Sequence, residues 1–201
     1  MIRILVAEDQ AMIRGALIAL LTGERDIEVV AEAGSGEAAV VEALRTRPDV
    51  ALLDLEMPGK DGFWAAGELQ ERLPSCRVVI VTVFGRPGYL RRAVDLGVAG
   101  FLLKDAPPGD LTEAVRRVSA GETVIDPKLA VAALAEGTSP LTPRERDVLA
   151  LSVRGASVEE IARSLHLTNG TVRSYLLIAI QKLNAKNRIE AARAAEEKGW
   201  L

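Results

Sequence analysis

Five apolar runs, each followed by an amphipathic stretch, fill the first 120 residues and restrict the fold more than any other feature. "IRILVA" leads into a segment where Met12, Ile13, Ala16, Leu17, Leu20 and Leu21 recur at helical spacing. "IEVVAEA" precedes "GEAAVVEALRT", "DVALLDL" precedes "GFWAAGELQERL", "RVVIVTVF" precedes "PGYLRRAVDLG", and "AGFLLK" precedes "GDLTEAVRRVSAG". Strict alternation of strand and helix makes a parallel sheet with helices on both faces. The expected architecture is therefore an α/β doubly wound, five-stranded parallel sheet of strand order 2-1-3-4-5 over residues 1–120.

The pattern changes after Gly121. "GETVIDPKLAVAALAEGTSP" reads as a linker, residues 121–140, with a short helix around Pro127 to Glu136. Beyond it, Thr142 with Glu145, Ser157 with Glu160 and Asn187 with Glu190 each place a cap oxygen three residues before a glutamate, the signature of a helix start. A fourth helix starts near Thr168, so residues 141–201 are expected to form an all-α four-helix domain with a helix-turn-helix. Charge divides the same way: residues 1–137 carry a net −6 and 138–201 a net +3, within a total of −3 over 201 residues. An acidic front and a basic back suggest two modules with different partners.

No apolar stretch approaches the roughly 20 residues of a membrane span, and "MIRILVAEDQ" enters a strand directly, unlike a signal peptide. Membrane insertion is not expected, and a cytoplasmic location is. The single cysteine, Cys76, has no internal disulfide partner and reads as packing or surface.

The third apolar run ends on Asp54 and breaks at once on Pro58 and Gly59. Glu8 and Asp9 end the first strand, Thr82 lies in the fourth and Lys104 follows the fifth. In this strand order the first and third strands flank the switch-point crevice, so these ends converge. Three crowded carboxylates repel unless a cation sits among them, and hard oxygen donors with room for water suit Mg²⁺. A neutralised Asp54 could then attack phosphorus and become an aspartyl phosphate, Lys104 and the Thr82 hydroxyl serving the phosphoryl oxygens. Taken singly, Glu8 and Asp9 could cap a helix, Thr82 fill a strand and Lys104 be solvated.

"AEDQ", "DLEMPGKDG", Thr82 and "FLLKD" together resemble the receiver domain of bacterial two-component response regulators over about residues 1–120. The resemblance implies that Asp54 accepts phosphate from a sensor histidine kinase. It also implies that the Glu56 backbone carbonyl joins Glu8 or Asp9 and Asp54 on Mg²⁺, and that Thr82 and Phe101 form a switch pair; ordinary core packing is the alternative for Phe101. The chain's only histidine, His166, lies outside this domain, so phosphate must come from another protein or a small acyl phosphate. "FGRPGY", Phe84 to Tyr89, departs from the family's usual acidic or polar loop and predicts a late or mobile fourth helix.

"LTPRERDVLALSVRGASVEEIARSLHLTNGTVRSYLLIAIQKL" resembles a LuxR/NarL-type DNA-binding domain, from Leu141 to about Glu197. Both resemblances together imply a NarL/FixJ-type transcription regulator, and the loop before the fourth helix with the ending "NRIEAARAAEEKGWL" is similar to the DesR-type subgroup. That subgroup's members answer a membrane-embedded kinase and control lipid desaturation. Periodicity buries Val172, Leu176, Ala179, Ile180 and Leu183 and leaves Asn169, Gly170, Arg173, Ser174, Leu177 and Gln181 outward, as a recognition helix requires. Thr171, Lys182 and Lys186 read as phosphate contacts, with a solvated face the alternative for the lysines. Ile189, Ala192 and Ala195 would form the family's dimer surface, with core packing the alternative.

Sparse positive charge predicts weak binding by a monomer and hence a homodimer, formed on phosphorylation, on paired half-sites of double-stranded DNA. Two competitors are a Mg²⁺-dependent phosphohydrolase, which needs a second catalytic acid that Glu56 does not supply, and a phosphate-independent DNA-binding regulator using the receiver only to dimerise. Enzymatic activity is expected to extend no further than self-phosphorylation from acyl phosphates and self-dephosphorylation at Asp54.

Overall fold

The β-branched and leucine-rich runs form strands whose side chains are covered from both sides. In the computed structural model, which describes residues 1–83, 87–135, 139–153 and 155–201, the chain divides into two compact units, one of Met1–Gly85 and Arg92–Leu129 and one of Arg86–Arg91 and Ala130–Leu201. The first contains β1 (Ile2–Ala7), α1 (Ala11–Thr22), β2 (Ile27–Ala33), α2 (Gly36–Thr46), β3 (Val50–Asp54), α3 (Gly62–Arg72), β4 (Arg77–Thr82), α4 (Pro87–Asp95) in part, β5 (Gly100–Leu103), α5 (Pro108–Ser119) and β6 (Val124–Ile125). Phe84–Arg86, part of the loop expected to delay the fourth helix, lie outside the described residues.

The strands pair in the order β2-β1-β3-β4-β5-β6, every pair parallel. The order 2-1-3-4-5 is that read from the sequence; a sixth strand of two residues adds to the expected five. Val124 and Ile125 are too few to show a period, and they pair through backbone bonds: the Val124 amide donates to the Ala99 carbonyl at 2.9 Å and the Asp126 amide to the Phe101 carbonyl at 3.0 Å. All five residues of β3 are buried, as a central strand covered on both faces requires. The core runs through Ile4, Val6, Leu52, Val79, Val81, Leu102, Val115 and Val118.

Two devices fix the edges. The Asp61 side chain caps α3 by accepting from the Trp64 amide at 2.7 Å. Arg116 on α5 donates to Asp26 at 2.8 and 2.9 Å and to Glu24 at 2.6 Å, tying α5 to the turn before β2. Its guanidinium holds the Asp26 carboxyl down at about 2.

The second unit holds α6 (Pro127–Ala135) in part, then α7 (Pro143–Val153), α8 (Val158–Leu165), α9 (Asn169–Lys182) and α10 (Arg188–Glu197). Val148, Leu149, Ile161, Val172, Leu176, Ala179, Ala191, Ala192 and Ala195 make its core. Thr142 with Glu145 and Ser157 with Glu160 close reciprocal caps. The third cap differs: Asn187 accepts from the Ile189 and Glu190 amides, while the Glu190 carboxylate accepts from the Lys186 amide one residue earlier. Ala192 and Ala195, read as a dimer surface, are buried in the core; only Ile189 of that trio faces solvent, 74% exposed.

Gly62 begins α3 directly against the end of β3: its amide donates to the Leu55 carbonyl at 3.0 Å, and a Cβ there would overlap the Asp54 carbonyl oxygen. Gly62→Ala is expected to cost about 1–3 kcal/mol in urea unfolding, since backbone rather than a side chain must yield. Gly15→Ala on α1, where a Cβ meets open space, is the contrasting substitution and should stabilise by about 0.5–1 kcal/mol.

Candidate functional site

The parallel register brings four strand ends together. Ala7 pairs with Leu53, so Glu8 and Asp54 follow side by side, and Thr82 pairs with Leu103, one residue before Lys104. The Glu8 amide donates to the Ala33 carbonyl at 3.0 Å and the Lys104 amide to the Thr82 carbonyl at 2.8 Å, which anchors both loops to the sheet. Arg14 donates to the Glu8 carbonyl at 2.7 Å and to Glu32 at 3.0 Å, bracing the turn from β1 into α1. Nothing in the sequence pattern singled out Arg14, because its partners come from a loop and a neighbouring strand.

Glu8, Asp9 and Asp54 present carboxylate oxygens within 4.8 Å of one another. Glu8 and Asp54 are buried and Asp9 is exposed. The Lys104 ammonium lies 2.6 Å from Glu8 Oε2 and 3.0 Å from Asp54 Oδ1. Burial raises the Glu8 carboxyl above its ordinary range, and the Asp54 charge adds to this against the hydrogen bonds from Lys104 and the Gln10 amide. Burial alone would lower the Lys104 ammonium, but the two carboxylates outweigh it and raise it. One ammonium among three carboxylates leaves a formal excess of two negative charges at a solvent-facing edge. That edge fits a divalent cation held by hard oxygens, with water completing its shell from the Asp9 side. Thr82 is fully buried at the end of β4, Glu56 is exposed just after β3, and Phe101 is 1% exposed on β5, paired with Ile80.

In the second unit, α8, the turn at His166 and α9 form a helix-turn-helix. His166 takes the left-handed conformation, φ 55°, and the Thr168 hydroxyl caps α9 by accepting from the Thr171 amide. Val172, Leu176 and Ala179 are buried, with Ile180 and Leu183 packed against them. Asn169, Arg173, Ser174, Leu177, Gln181 and Lys186 are exposed and Thr171 is half-buried. Lys182 stands apart. Its ammonium donates to both oxygens of the buried Glu145, at 2.8 and 3.0 Å, and so joins the end of α9 to the start of α7. Its place in the sequence suggested a phosphate contact; its charge is already met by a partner 37 residues away. Glu145 was legible as a cap but not as this partner.

Residues 4–116 match the response regulator receiver domain, and residues 139–195 match the bacterial regulatory proteins of the luxR family. The chain belongs to the response-regulator family. It is similar over its whole length, and over the whole of each relative, to the transcriptional regulatory protein DesR of Bacillus subtilis at 46% identity and to the uncharacterized transcriptional regulatory protein YvfU of the same organism at 45%. Response regulator RamR of Streptomyces coelicolor is 38% identical, covering 100% of this chain and 98% of RamR. Among solved structures, the two-component response regulator RcsB in complex with DNA is similar at 26% identity, with a TM-score of 0.70 and 98% of both chains covered. A receiver followed by a luxR-type DNA-binding domain makes this response regulator a phosphorylation-regulated transcription regulator, not a classical enzyme. No described helix is long and apolar enough to cross a membrane.

Burial alone would raise the Glu145 carboxyl, but hydrogen bonds from Lys182 and Thr142 outweigh it and hold it below the usual range. A lowered carboxyl contributes stability that is present above the unfolded value, about 4.3, and lost as pH falls through the folded one. Amide signals of α7 and α9, followed by NMR during acid titration, should fade below about pH 4 in the wild type. Glu145→Gln should weaken both helices already at neutral pH and flatten that acid dependence.

Proposed function

We propose that Asp54 is the phosphoacceptor of a sensor histidine kinase. The observation that carries the reading is the Lys104 ammonium, within 3.0 Å of Asp54 and 2.6 Å of Glu8 at an otherwise over-acidic sheet end. An Asp54 carboxylate oxygen attacks phosphorus while the P–N bond of a phosphohistidine breaks; the electron pair returns to the imidazole nitrogen, which takes up a proton. With a small acyl phosphate the P–O bond breaks and the acyl carboxylate leaves, which is self-phosphorylation; attack by water on the aspartyl phosphate reverses the modification. Lys104 turns its charge from the Asp54 carboxylate to a phosphoryl oxygen, and the Thr82 hydroxyl donates to another. Phe101, buried beside Ile80, is the packing element that adjusts when Thr82 moves, which makes the two a switch pair.

Glu8 or Asp9, Asp54 and the Glu56 backbone carbonyl would hold Mg²⁺. When bound, it supplies the positive charge that lets crowded carboxylates and an incoming phosphoryl group share one edge.

The proposed domain plan is a receiver over residues 1–120, a linker over 121–140 and a DNA-binding domain over 141–201. Phosphorylation promotes a homodimer, which sets two α9 helices into half-sites about 34 Å apart on double-stranded DNA in the cytoplasm. Asn169, Thr171, Arg173, Ser174, Leu177, Gln181 and Lys186 are its DNA-facing residues, whereas Lys182 orients α9 through Glu145. Near-equal identity to DesR and YvfU supports a shared scaffold rather than shared target genes.

Sedimentation velocity in Mg²⁺, with and without beryllium fluoride as an aspartyl-phosphate mimic, tests this reading. Wild type should dimerise only with the mimic, and Asp54→Asn should stay monomeric while keeping its fold, because Glu8 retains Lys104 and loses a like-charged neighbour. A mimic-independent dimer in both proteins would favour the phosphate-independent regulator instead.

A further inference from the structure

On α9, three polar side chains already have partners in the protein. The Ser174 hydroxyl donates to the Gly170 carbonyl at 3.1 Å, the Thr171 and Thr168 hydroxyls share a hydrogen bond at 2.9 Å, and Lys182 is bound to Glu145. Arg173 makes no ion pair among the described residues. Leu177 stands 58% exposed one turn further along, and Gln181 follows one turn after that. Positions four apart share a helix face, so Arg173, Leu177 and Gln181 form one outward stripe. The opposite side of α9 is packed into the core through Val172, Leu176 and Ala179, so Leu177 has no place in it.

An isobutyl group in the middle of this stripe can bond neither a phosphate nor a polar base edge. In the major groove its apolar complement is the thymine C5-methyl, while the arginine fork complements guanine N7 and O6. We infer that Leu177 is a specificity-determining residue that packs on a thymine methyl near a guanine bound by Arg173. Four residues advance about 6 Å along the helix and one base step about 3.4 Å along DNA, so the thymine lies about two steps from the guanine. The inference rests on α9 being the DNA-reading helix, and the experiment separates the two claims.

Full-length protein activated with Mg²⁺ and beryllium fluoride selects duplexes from a random pool, and each thymine of the selected site is then replaced by deoxyuridine, which lacks only the methyl. Loss of one methyl contact should weaken wild type about fourfold per half-site, and the same replacement should leave Leu177→Ala nearly unaffected. Leu177→Met, apolar and flexible, should retain the thymine preference. Because Leu177 is exposed, an unchanged melting temperature is expected for both variants. Equal sensitivity of wild type and Leu177→Ala to deoxyuridine, or no thymine near the selected guanine, overturns the inference. So does a Leu177→Ala protein that binds as tightly without beryllium fluoride as with it, because Leu177 then covers a contact of the inactive chain. Arg173→Ala binding the selected site as wild type does would overturn the assignment of α9 to DNA itself.

Discussion

The Lys104 ammonium between Glu8 and Asp54 is the contact on which the acidic pocket, the proposed phosphoacceptor site, depends. Two carboxylates at adjacent strand ends repel, and burial makes the repulsion worse because the surrounding dielectric is low. Parallel pairing of β1 with β3 nevertheless puts them side by side, and β5 delivers the one cation that makes the arrangement tolerable. Such a pair is weak as a source of stability, since desolvation of both partners offsets most of the attraction. Its consequence is positional: a lysine that must stay beside Asp54 in the resting chain already stands where a charged phosphoryl group would need it.

A second cation and carboxylate organise the other unit, with the opposite outcome. Lys182 and Glu145 match one charge with one charge, and Glu145 also caps α7 through Thr142. The end of α9 is thereby attached to the start of α7, which fixes the pitch of the helix that faces DNA on the proposed reading. The receiver pocket is left over-acidic, a site that still requires a cation, whereas the Glu145 site is closed and requires nothing further.

The parallel sheet was legible in the sequence because hydrophobic periodicity is a local signal repeated five times; the runs alone leave strand order open, and 2-1-3-4-5 came from the doubly wound pattern they match. Glu8, Asp9, Asp54 and Lys104 were legible for a related reason: each sits at the end of an apolar run, and ends of parallel strands converge, whereas Thr82 lies inside its run. What escaped was non-local or too short. Arg116 meets Asp26 across 90 residues and Lys182 meets Glu145 across 37, and no period links either pair. β6 has only two residues. Ala192 and Ala195 were read as a dimer surface by family pattern with core packing as the alternative, because alanine fits a crowded helix contact as readily as a surface, and the packing of α10 on α7 and α9 decides for the core.

The Lys182 pairing bears on how the response regulator can be switched at all. A DNA-binding domain rich in free cations holds any duplex through counterion release, and phosphorylation would then change little. Here one lysine of the recognition helix is neutralised internally, two hydroxyls are bonded within the helix, and the net charge of residues 138–201 is only +3. One such domain has little sequence-independent affinity to keep it on DNA. Joining two of them converts the second half-site into an intramolecular encounter and multiplies affinity without a new contact. On the proposed reading, a weak reader is thus the physical condition under which phosphorylation-promoted dimerisation can control transcription, and the Glu145–Lys182 pair helps to keep the reader weak.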